Sequence, residues 1–210
     1  MPVPAIAASV LVIVGAGGHG RVVADAALAS GDWQTVVATD ADASRCEGEL
    51  LPGVQLLTMD QALALPGALL HFAIGNANAR ERQASQATLP LASVVHPRAS
   101  LSMHALLEPG CFIAALAVVA PGARIGLCGI VNHGAVVDHD VHVGAWSHIA
   151  PGASLGGGAQ VGERVLVGAG ARVLPGVRVA DGVVIGAGAV VHGDVEAAGV
   201  YAGVPARKLK

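Results

Sequence analysis

Aromatic residues are scarce in this chain, which has two Trp, one Tyr and two Phe among its 210 residues. The chain is nevertheless 53% hydrophobic, and it contains 29 Gly. Most of its apolar content is Ala, Val and Leu, so its core must be built from small and branched aliphatic side chains. Such side chains pack closely only in a narrow, regular interior.

Cysteine is also rare, with only Cys46, Cys111 and Cys128, and no two of them have the C-x-x-C spacing. An odd number of widely separated cysteines argues against a disulfide framework and against a thiolate zinc site. We therefore expect free, buried thiols in a reducing compartment.

Positive charge is sparse, since lysine occurs only at Lys208 and Lys210 and the net charge is −3. This balance predicts no general attraction to nucleic acid. No apolar run is long enough to span a membrane, and the apolar N-terminus lacks the basic segment of a signal peptide. We expect a cytoplasmic protein whose first apolar segment is a β-strand.

Residues 1–92 alternate between strand and helix patterns, which predicts an α/β domain with a small parallel sheet. Asp60 is the expected N-cap of a short helix. The predicted strands are 10–14, 35–40, 54–57 and 68–76, and the predicted longer helices are 21–30 and 77–87.

The predicted second domain is 93–210, and its residues 93–195 have a different period, because every sixth residue from Val95 to Val191 is a branched aliphatic, 17 in all. The residue four positions after each of them is small. One bulky and one small inward position per hexad predict a narrow triangular prism, with 18 residues to a coil and strands about 4.8 Å apart. By itself this fold also suits a scaffold without an active site.

A glycine loop follows the first strand, with Gly15, Gly17 and Gly20 in G-x-G-x-x-G spacing and Asp40 ending the next strand. This context is typical of phosphate binding at a helix N-terminus. An NAD-dependent hydride transferase is one candidate, but about 92 residues make only half of a dinucleotide fold. We favour a nucleotide-diphosphate ligand, and a glycine turn that merely packs a helix on a strand remains an alternative.

Four segments resemble the bacterial sugar acyltransferases related to sialic acid O-acetyltransferase, particularly the UDP-4-amino-sugar N-acetyltransferases of bacillosamine and perosamine type. They are "GAGGHG" (15–20), "IGNANAR" (74–80), "VNHGAVVDHD" (131–140) and "VYAGVPARKL" (200–209). The resemblance implies a half-Rossmann domain followed by a left-handed parallel β-helix and a homotrimer. It also implies acetyl transfer from acetyl-CoA to a nucleotide-linked amino sugar, with acetyl-CoA bound between neighbouring helices.

The resemblance also implies roles for individual residues. His139 is the expected general base and Asp140 its acidic partner. The sequence departs from the family pattern in separating Asp40 from Asp42, and in carrying Asp138, His133 and His142. The expected substrate-binding residues are Gly17, His19, Arg21, Asp40, Asn76 and Asn132. The expected acetyl-CoA-binding residues are His148, Gly157, Ala169, Ala187, Arg207 and Lys208.

The 18-residue coil gives an independent expectation, because Gly157 follows His139 by one coil. A base and an oxyanion donor would then lie about 5 Å apart, close enough to act on one carbonyl.

Zinc is a further alternative, since γ-class carbonic anhydrases are hexapeptide β-helices with a three-histidine zinc site. Ligands from stacked coils need spacings near 18, and the residues one and two coils before His139 are Pro121 and Met103. We therefore expect no metal, although a zinc hydratase and a sugar O-acetyltransferase remain the alternatives to N-acetylation.

Overall fold

The structure is a computed structural model that describes residues 10–209. It contains an N-terminal α/β region and a C-terminal β-helix, as the two sequence periods predict. Within residues 10–209, no helix has both the length and the apolar character needed to cross a bilayer. The first nine residues and Lys210, which the sequence analysis included in the two domains, lie outside the described part.

The α/β region contains a five-stranded sheet of β1 (Val10–Val14), β2 (Thr35–Thr39), β3 (Glu49–Leu51), β4 (Val54–Leu56) and β5 (Ala68–Phe72). The strands lie in the order β3-β4-β2-β1-β5. Strand β1 pairs in parallel with β2 and β5, whereas β3 runs antiparallel to β4. The helices are α1 (Gly18–Ser30), α2 (Met59–Leu63) and α3 (Ala77–Ala84), with a 3-10 turn at Ala43–Arg45.

Most of the predicted elements are confirmed, with corrected ends. Helix α1 begins three residues earlier than predicted, inside the glycine loop, and β3 was not predicted. Asp60 is not the N-cap of α2: Thr58 is the cap, and it forms a capping box with Gln61. The prediction was wrong because the Thr58 side chain accepts the hydrogen bond from the free Gln61 amide at the start of the helix. Asp60 lies in the first turn instead.

The β-helix has seventeen two-residue strands, and each ends on a branched aliphatic of the hexad frame. They form three parallel sheets, called faces 1, 2 and 3, whose strands pair at intervals of 18 residues. Face 1 consists of Val94–Val95, Phe112–Ile113, Ile130–Val131, His148–Ile149, Leu166–Val167 and Val184–Ile185. Face 2 consists of Ser100–Leu101, Val118–Val119, Val136–Val137, Ser154–Leu155, Arg172–Val173 and Val190–Val191. Face 3 consists of Leu106–Leu107, Arg124–Ile125, His142–Val143, Gln160–Val161 and Arg178–Val179.

Both inward positions of the hexad fill the prism. From Ile113 to Val191 every frame residue is at most 3% exposed, and the small residues between them are buried as well. Only the first coil is open, with Leu101 37% exposed. The predicted left-handed parallel β-helix is therefore confirmed. A C-terminal hairpin of Val200–Ala202 and Arg207–Lys208 extends face 1.

Three corners join the faces. Corner A, between faces 1 and 2, includes His133 and Ala169; corner B, between faces 2 and 3, includes His139 and Gly157; corner C, between faces 3 and 1, includes Ala145. From Gly110 to Gly188, each corner turn contains one position of positive φ, and glycine fills most of these positions. The non-glycine residues there are Leu116, Cys128, Asp140, Trp146 and Arg164. A left-handed conformation costs such residues about 1–2 kcal/mol relative to glycine. We therefore expect local contacts of these side chains or carbonyls to offset that cost.

The α/β region packs on face 1. The outward side chains of Val94, Phe112 and Ile130 belong to the same buried cluster as Leu11 and Ile13 of β1. The next outward side chain along this face is His148, which pairs in register with Ile130 and is only partly buried. His148 therefore lies at the border between the part of face 1 that the α/β region covers and the part that is open to solvent.

Candidate active site

His139 and Asp140 form a paired imidazole and carboxylate on corner B. His139 Nδ1 lies 2.9 Å from Asp140 Oδ2. Asp140 has a φ of 57°, and its backbone amide donates to the Pro121 carbonyl of the preceding coil at 3.1 Å. On that coil Gly122 leaves space that a β-carbon would deny to the Asp140 carboxylate. The strained aspartate is thus held by the turn above it.

Gly157 lies on the next coil, directly against the His139 ring. The adjacent Gly158 amide donates to the His139 carbonyl at 2.9 Å, as the 18-residue spacing predicts. A β-carbon on Gly157 would overlap the ring, with Nε2 as its nearest atom. The nitrogen that does not face Asp140 therefore points along the corner toward the Gly157 backbone.

Two carboxylates raise the pKa of His139 above its ordinary value. The hydrogen bond to Asp140 has the larger effect, and the charge of Asp138 adds to it. Asp138 also accepts a hydrogen bond from the His139 amide at 2.7 Å. Because 63% of the His139 side chain is exposed, the ring exchanges protons with water. At a pH above its pKa the ring is neutral, and it can then accept a proton from a substrate.

A second pair, Asn132 and His148, lies at the edge of face 1 and corner A. Asn132 Nδ2 is 3.1 Å from His148 Nε2, and Asn132 Oδ1 accepts from the His133 amide at 2.8 Å. Asn132 is 8% exposed. Burial, followed by the charge of Arg80, lowers the pKa of His148 to about 4. His148 is therefore a neutral, oriented imidazole at pH 7.

His19, in the glycine loop, faces this second pair. Its ring centroid is 6.1 Å from that of His148 and 5.4 Å from that of Phe112. Burial lowers the pKa of His19 to about 3, and its buried Nε2 has no hydrogen-bond partner among residues 10–209. Without a bound anion, His19 is therefore neutral at pH 7.

Asp40 holds the glycine loop in place. Its Oδ2 accepts from the Ala16 amide at 2.8 Å, and its Oδ1 accepts from the Asp42 amide at 3.0 Å. Gly20 must lack a side chain, because a β-carbon there would overlap the Gly15 carbonyl. Gly17 is the N-cap residue of α1, and Arg21 on its first turns is exposed.

Of the remaining predicted residues, Asn76 lines a cavity together with His148, whereas the two alanines and the C-terminal residues lie elsewhere on the β-helix. Asn76 caps α3, with its Oδ1 accepting from the Ala79 amide at 2.9 Å. Ala169 and Ala187 are exposed on successive coils of corner A. In the C-terminal hairpin, Arg207 Nη1 is 3.3 Å from His192 Nε2, and Lys208 Nζ is 5.9 Å from the centre of the Tyr201 ring.

The chain thus brings the predicted residues together in two groups. His139, Asp140 and Gly157 are on corner B, whereas Asn132, His148 and His19 are beside corner A under the α/β region. Face 2 separates the two corners. Within a single chain, His139 and His148 therefore lie on different edges of the prism.

Arg80 is a site neighbour that the sequence analysis missed. It is 1% exposed, and its guanidinium donates to the backbone carbonyls of Cys128, Ile74, Gly75 and Trp146. The signal was its place at the end of the "IGNANAR" segment, where a charged residue follows a strand and a cap. Two of its partners, Cys128 and Trp146, are on corner C, and no local pattern identifies them.

Metal ligands are not clustered in the described part of the chain. Among residues 10–209, no three or more His, Cys, Asp or Glu side chains are grouped so that they could hold a metal ion. The extra histidines are surface residues: His133 is exposed on corner A and His142 on face 3.

Comparison with known families and structures agrees with the two-part architecture. Residues 10–87 match the family described as PglD N-terminal domain, and residues 158–193 match bacterial transferase hexapeptide (six repeats). No curated protein sequence matches the chain.

Two groups of solved structures are similar over almost the whole chain. The acetyltransferase domain of PglB from Neisseria gonorrhoeae is 34% identical, with a TM-score of 0.89, and the match covers 95% of this chain and 99% of that one. The same domain has been solved with acetyl coenzyme A, with a TM-score of 0.90 over 96% of this chain and 100% of that chain.

A variant of GDP-perosamine N-acetyl transferase from Caulobacter crescentus, solved with CoA and GDP-perosamine, is 35% identical. That match has a TM-score of 0.87 and covers 98% of both chains. Identity at this level over nearly full length establishes family membership. The chain therefore belongs to the sugar acyltransferase family that joins a PglD-type N-terminal domain to a hexapeptide-repeat β-helix, and it is an acetyltransferase.

Proposed function

We propose that this acetyltransferase moves the acetyl group of acetyl-CoA to the amine of a nucleotide-linked sugar, with His139 as the general base. The observation that carries the proposal is the His139 ring, held by Asp140 at Nδ1 and directed at the Gly157 backbone by Nε2. Acetyl-CoA and a nucleotide amino sugar are bound in the similar structures, and one of those proteins is named an N-acetyl transferase.

The reaction needs one base and one place for negative charge. The sugar amine attacks the thioester carbonyl, a C–N bond forms, and His139 Nε2 takes the proton that the amine gives up. The tetrahedral oxyanion is stabilised by backbone amide groups at the Gly157 turn. The C–S bond then breaks, and CoA leaves as a thiol after the proton passes to its sulfur. Asp140 orients the ring and stabilises its protonated form.

The N-terminal domain holds the nucleotide in this proposal. Gly17 and the N-terminus of α1 receive the diphosphate, whose charge suits the helix dipole. Arg21 supplies a positive charge nearby, whereas neutral His19 acts as a hydrogen-bonding group inside the cleft. Asp40 keeps the loop in its binding shape through the Ala16 amide.

The active cleft forms between two copies of the chain. His139 is on corner B, and face 2 separates it from corner A. His148 lies beside corner A, next to His19 of the glycine loop. If corner B of one copy meets corner A of the next, both groups enter a single cleft. Each copy carries both corners, so the contact is head-to-tail, and it closes into a ring when successive copies are rotated by one third of a turn, which gives the homotrimer implied by the resemblance. Along face 2, the outward Val118, Val136 and Ser154 are small enough for close packing.

Acetyl-CoA fits the same arrangement. Ala169 and Ala187 present small exposed side chains on corner A, which leaves room for a thin pantetheine arm. Arg207 and Lys208 at the end of face 1 offer positive charge for the CoA phosphates. The neighbouring copy would form the other wall of this groove.

The first prediction tests the function itself. Purified protein should release thiol from acetyl-CoA only when a nucleotide-linked amino sugar is added, and mass spectrometry should find one acetyl group on the sugar amine. The matching nucleotide sugar with a hydroxyl in place of the amine is the control. Acetylation of that hydroxyl analogue at an equal rate, or turnover of NAD or carbon dioxide instead, would contradict the proposal.

The second prediction concerns the base. His139→Ala should lower kcat by about 10² to 10⁴, the usual cost of losing a general base. The dissociation constants of both substrates, measured by calorimetry, should change little. His142→Ala is the matched control, because His142 is an exposed histidine on face 3. If His142→Ala loses activity and His139→Ala keeps it, the base has been assigned wrongly.

The third prediction concerns pH. His139 acts as a base only when neutral, so the rate should rise with pH through a pKa above the ordinary histidine value of 6.5. Asp140→Asn removes the main cause of the raised pKa, so this rise should move to lower pH. Asp138→Asn should move it in the same direction but less. A pH profile that ignores both substitutions would exclude His139 as the titrating base.

The fourth prediction tests the shared cleft. Co-expressed in equal amounts, an inactive His139→Ala chain and an inactive Asn132→Ala chain should together recover activity, because about a quarter of their interfaces combine two intact halves. Each variant alone is the control. Absence of recovery in mixed assemblies, or sedimentation of a fully active monomer, would show that each chain has its own complete site.

A further inference from the structure

Arg80 is a buried cation whose hydrogen bonds to the described residues all go to backbone carbonyls. Its Nε donates to Cys128 at 3.0 Å and its Nη1 to Gly75 at 3.2 Å, with further bonds from Nη1 to Ile74 and from Nη2 to Trp146. Burying an unpaired charge is costly, and so many bonds from one planar group offset that cost. Burial lowers the pKa of Arg80 to about 10, so the side chain is still charged at pH 7.

The four carbonyls belong to two separate pieces of the chain. Ile74 and Gly75 are in the loop that joins β5 to α3, whereas Cys128 and Trp146 are on two successive coils of corner C. Both corner residues have positive φ, 51° at Cys128 and 63° at Trp146. Corner C has this left-handed position in every coil from Gly110 to Gly182, and in the coils of Cys128 and Trp146 the carbonyl at that position accepts from Arg80.

Both pieces end beside His148. Trp146 is two residues before His148, and the strand His148–Ile149 starts from the turn that Arg80 holds. Gly75 lines the same cavity as the His148 ring, and its backbone raises the pKa of that ring, as a nearby carbonyl acceptor does, against the larger lowering effect of burial. Since Nε2 faces Asn132, the ring nitrogen that faces the Gly75 carbonyl is Nδ1.

We propose that Arg80 is a positioning residue for the Asn132–His148 pair, which it fixes by holding the Gly75 carbonyl and the Trp146 turn. Held in this way, His148 donates from Nδ1 to Gly75 and accepts at Nε2 from Asn132. Asn132 Oδ1 accepts from the His133 amide, and within residues 10–209 its Nδ2 has no partner except His148, so its second N–H can donate to a ligand in the cleft. This role rests on the proposed function, in which Asn132 and His148 line the acetyl-transfer cleft.

The charge of Arg80 supports the same arrangement. It lowers the pKa of His148, of His19 and of His71, after the larger effect of burial in each case. A protonated His148 could not accept from Asn132, because both ring nitrogens would be donors. Arg80 therefore keeps the pair in one protonation state as well as in one geometry.

The test combines nitrogen NMR of the histidine rings with kinetics on the full-length protein. In the wild type, the ¹⁵N shifts of His148 should show a protonated Nδ1 and an unprotonated Nε2, with His148→Gln used to assign the signals. In Arg80→Met these two shifts should move toward each other as the tautomers mix. The kcat should fall about tenfold to a hundredfold through misplacement of the pair, and both KM values should change much less.

Two further variants make the result decisive. Arg82→Met removes an exposed arginine from the same helix, and it should leave the His148 shifts and kcat unchanged. Arg80→Lys keeps the positive charge but lacks the planar guanidinium, so it should fold even if Arg80→Met does not. We expect His148 to stay neutral in this variant and kcat to stay below the wild-type value.

Unchanged His148 shifts in a folded Arg80→Met or Arg80→Lys protein would overturn the proposal, and so would full recovery of shifts and kcat by lysine, since geometry would then be irrelevant. The ring shifts are measured without substrate. A wild-type protein that fails to acetylate an amino sugar but shows the expected shifts would therefore refute the proposed function and leave the role of Arg80 intact.

Discussion

The hydrogen-bonded register between successive coils is the constraint on which the rest of this structure depends. Each strand pairs with the strand 18 residues away, and in most corners one amide also bonds to a carbonyl of the preceding coil. Because this ladder fixes the register along the prism axis, any two residues 18 apart lie on the same face or the same corner. His139 and Gly157 are neighbours for this reason, and the small inward residues that permit such tight coils also account for the scarcity of aromatic side chains.

The histidines show how one prism creates opposite electrostatic environments. His139 is on an open corner with Asp138 and Asp140, and its pKa is raised. His148 and His19 are under the α/β region with Arg80 nearby, and burial lowers their pKa values to about 4 and about 3. His139 thus has a raised pKa, whereas His19 and His148 stay neutral at pH 7 and serve as oriented hydrogen-bonding groups. This division suits a cleft in which a single group moves a proton while the others hold the reactants.

The α/β region and the β-helix depend on each other at face 1 and corner C. Val94, Phe112 and Ile130 bury apolar surface in one cluster with residues of β1. The directional hydrogen bonds between the two regions come from Arg80. Left-handed residues mark the places where the prism departs from its glycine rule. Asp140 holds the His139 ring, and Cys128 and Trp146 present carbonyls to Arg80. In each case a conformation of about 1–2 kcal/mol strain is offset by a specific bond.

By itself, the sequence determined the hexad frame, the triangular coil, the glycine loop and the closeness of His139 to Gly157. These features follow from local periods and from spacings that the register converts directly into contacts. The resemblance of its motifs indicated the acetyltransferase family, which the similar structures established.

Only the tertiary structure decided the rest. It separated His139 from His148 by a whole face, gave Asp40 the Ala16 amide as a partner, and moved the cap of α2 to Thr58. It also placed Arg80 against two coils more than forty residues away in the chain. A repeat fixes what lies above and below each residue. Which side of the prism the first domain covers, and hence which side chains lose water and change their pKa, depends on packing between distant segments that no local pattern encodes.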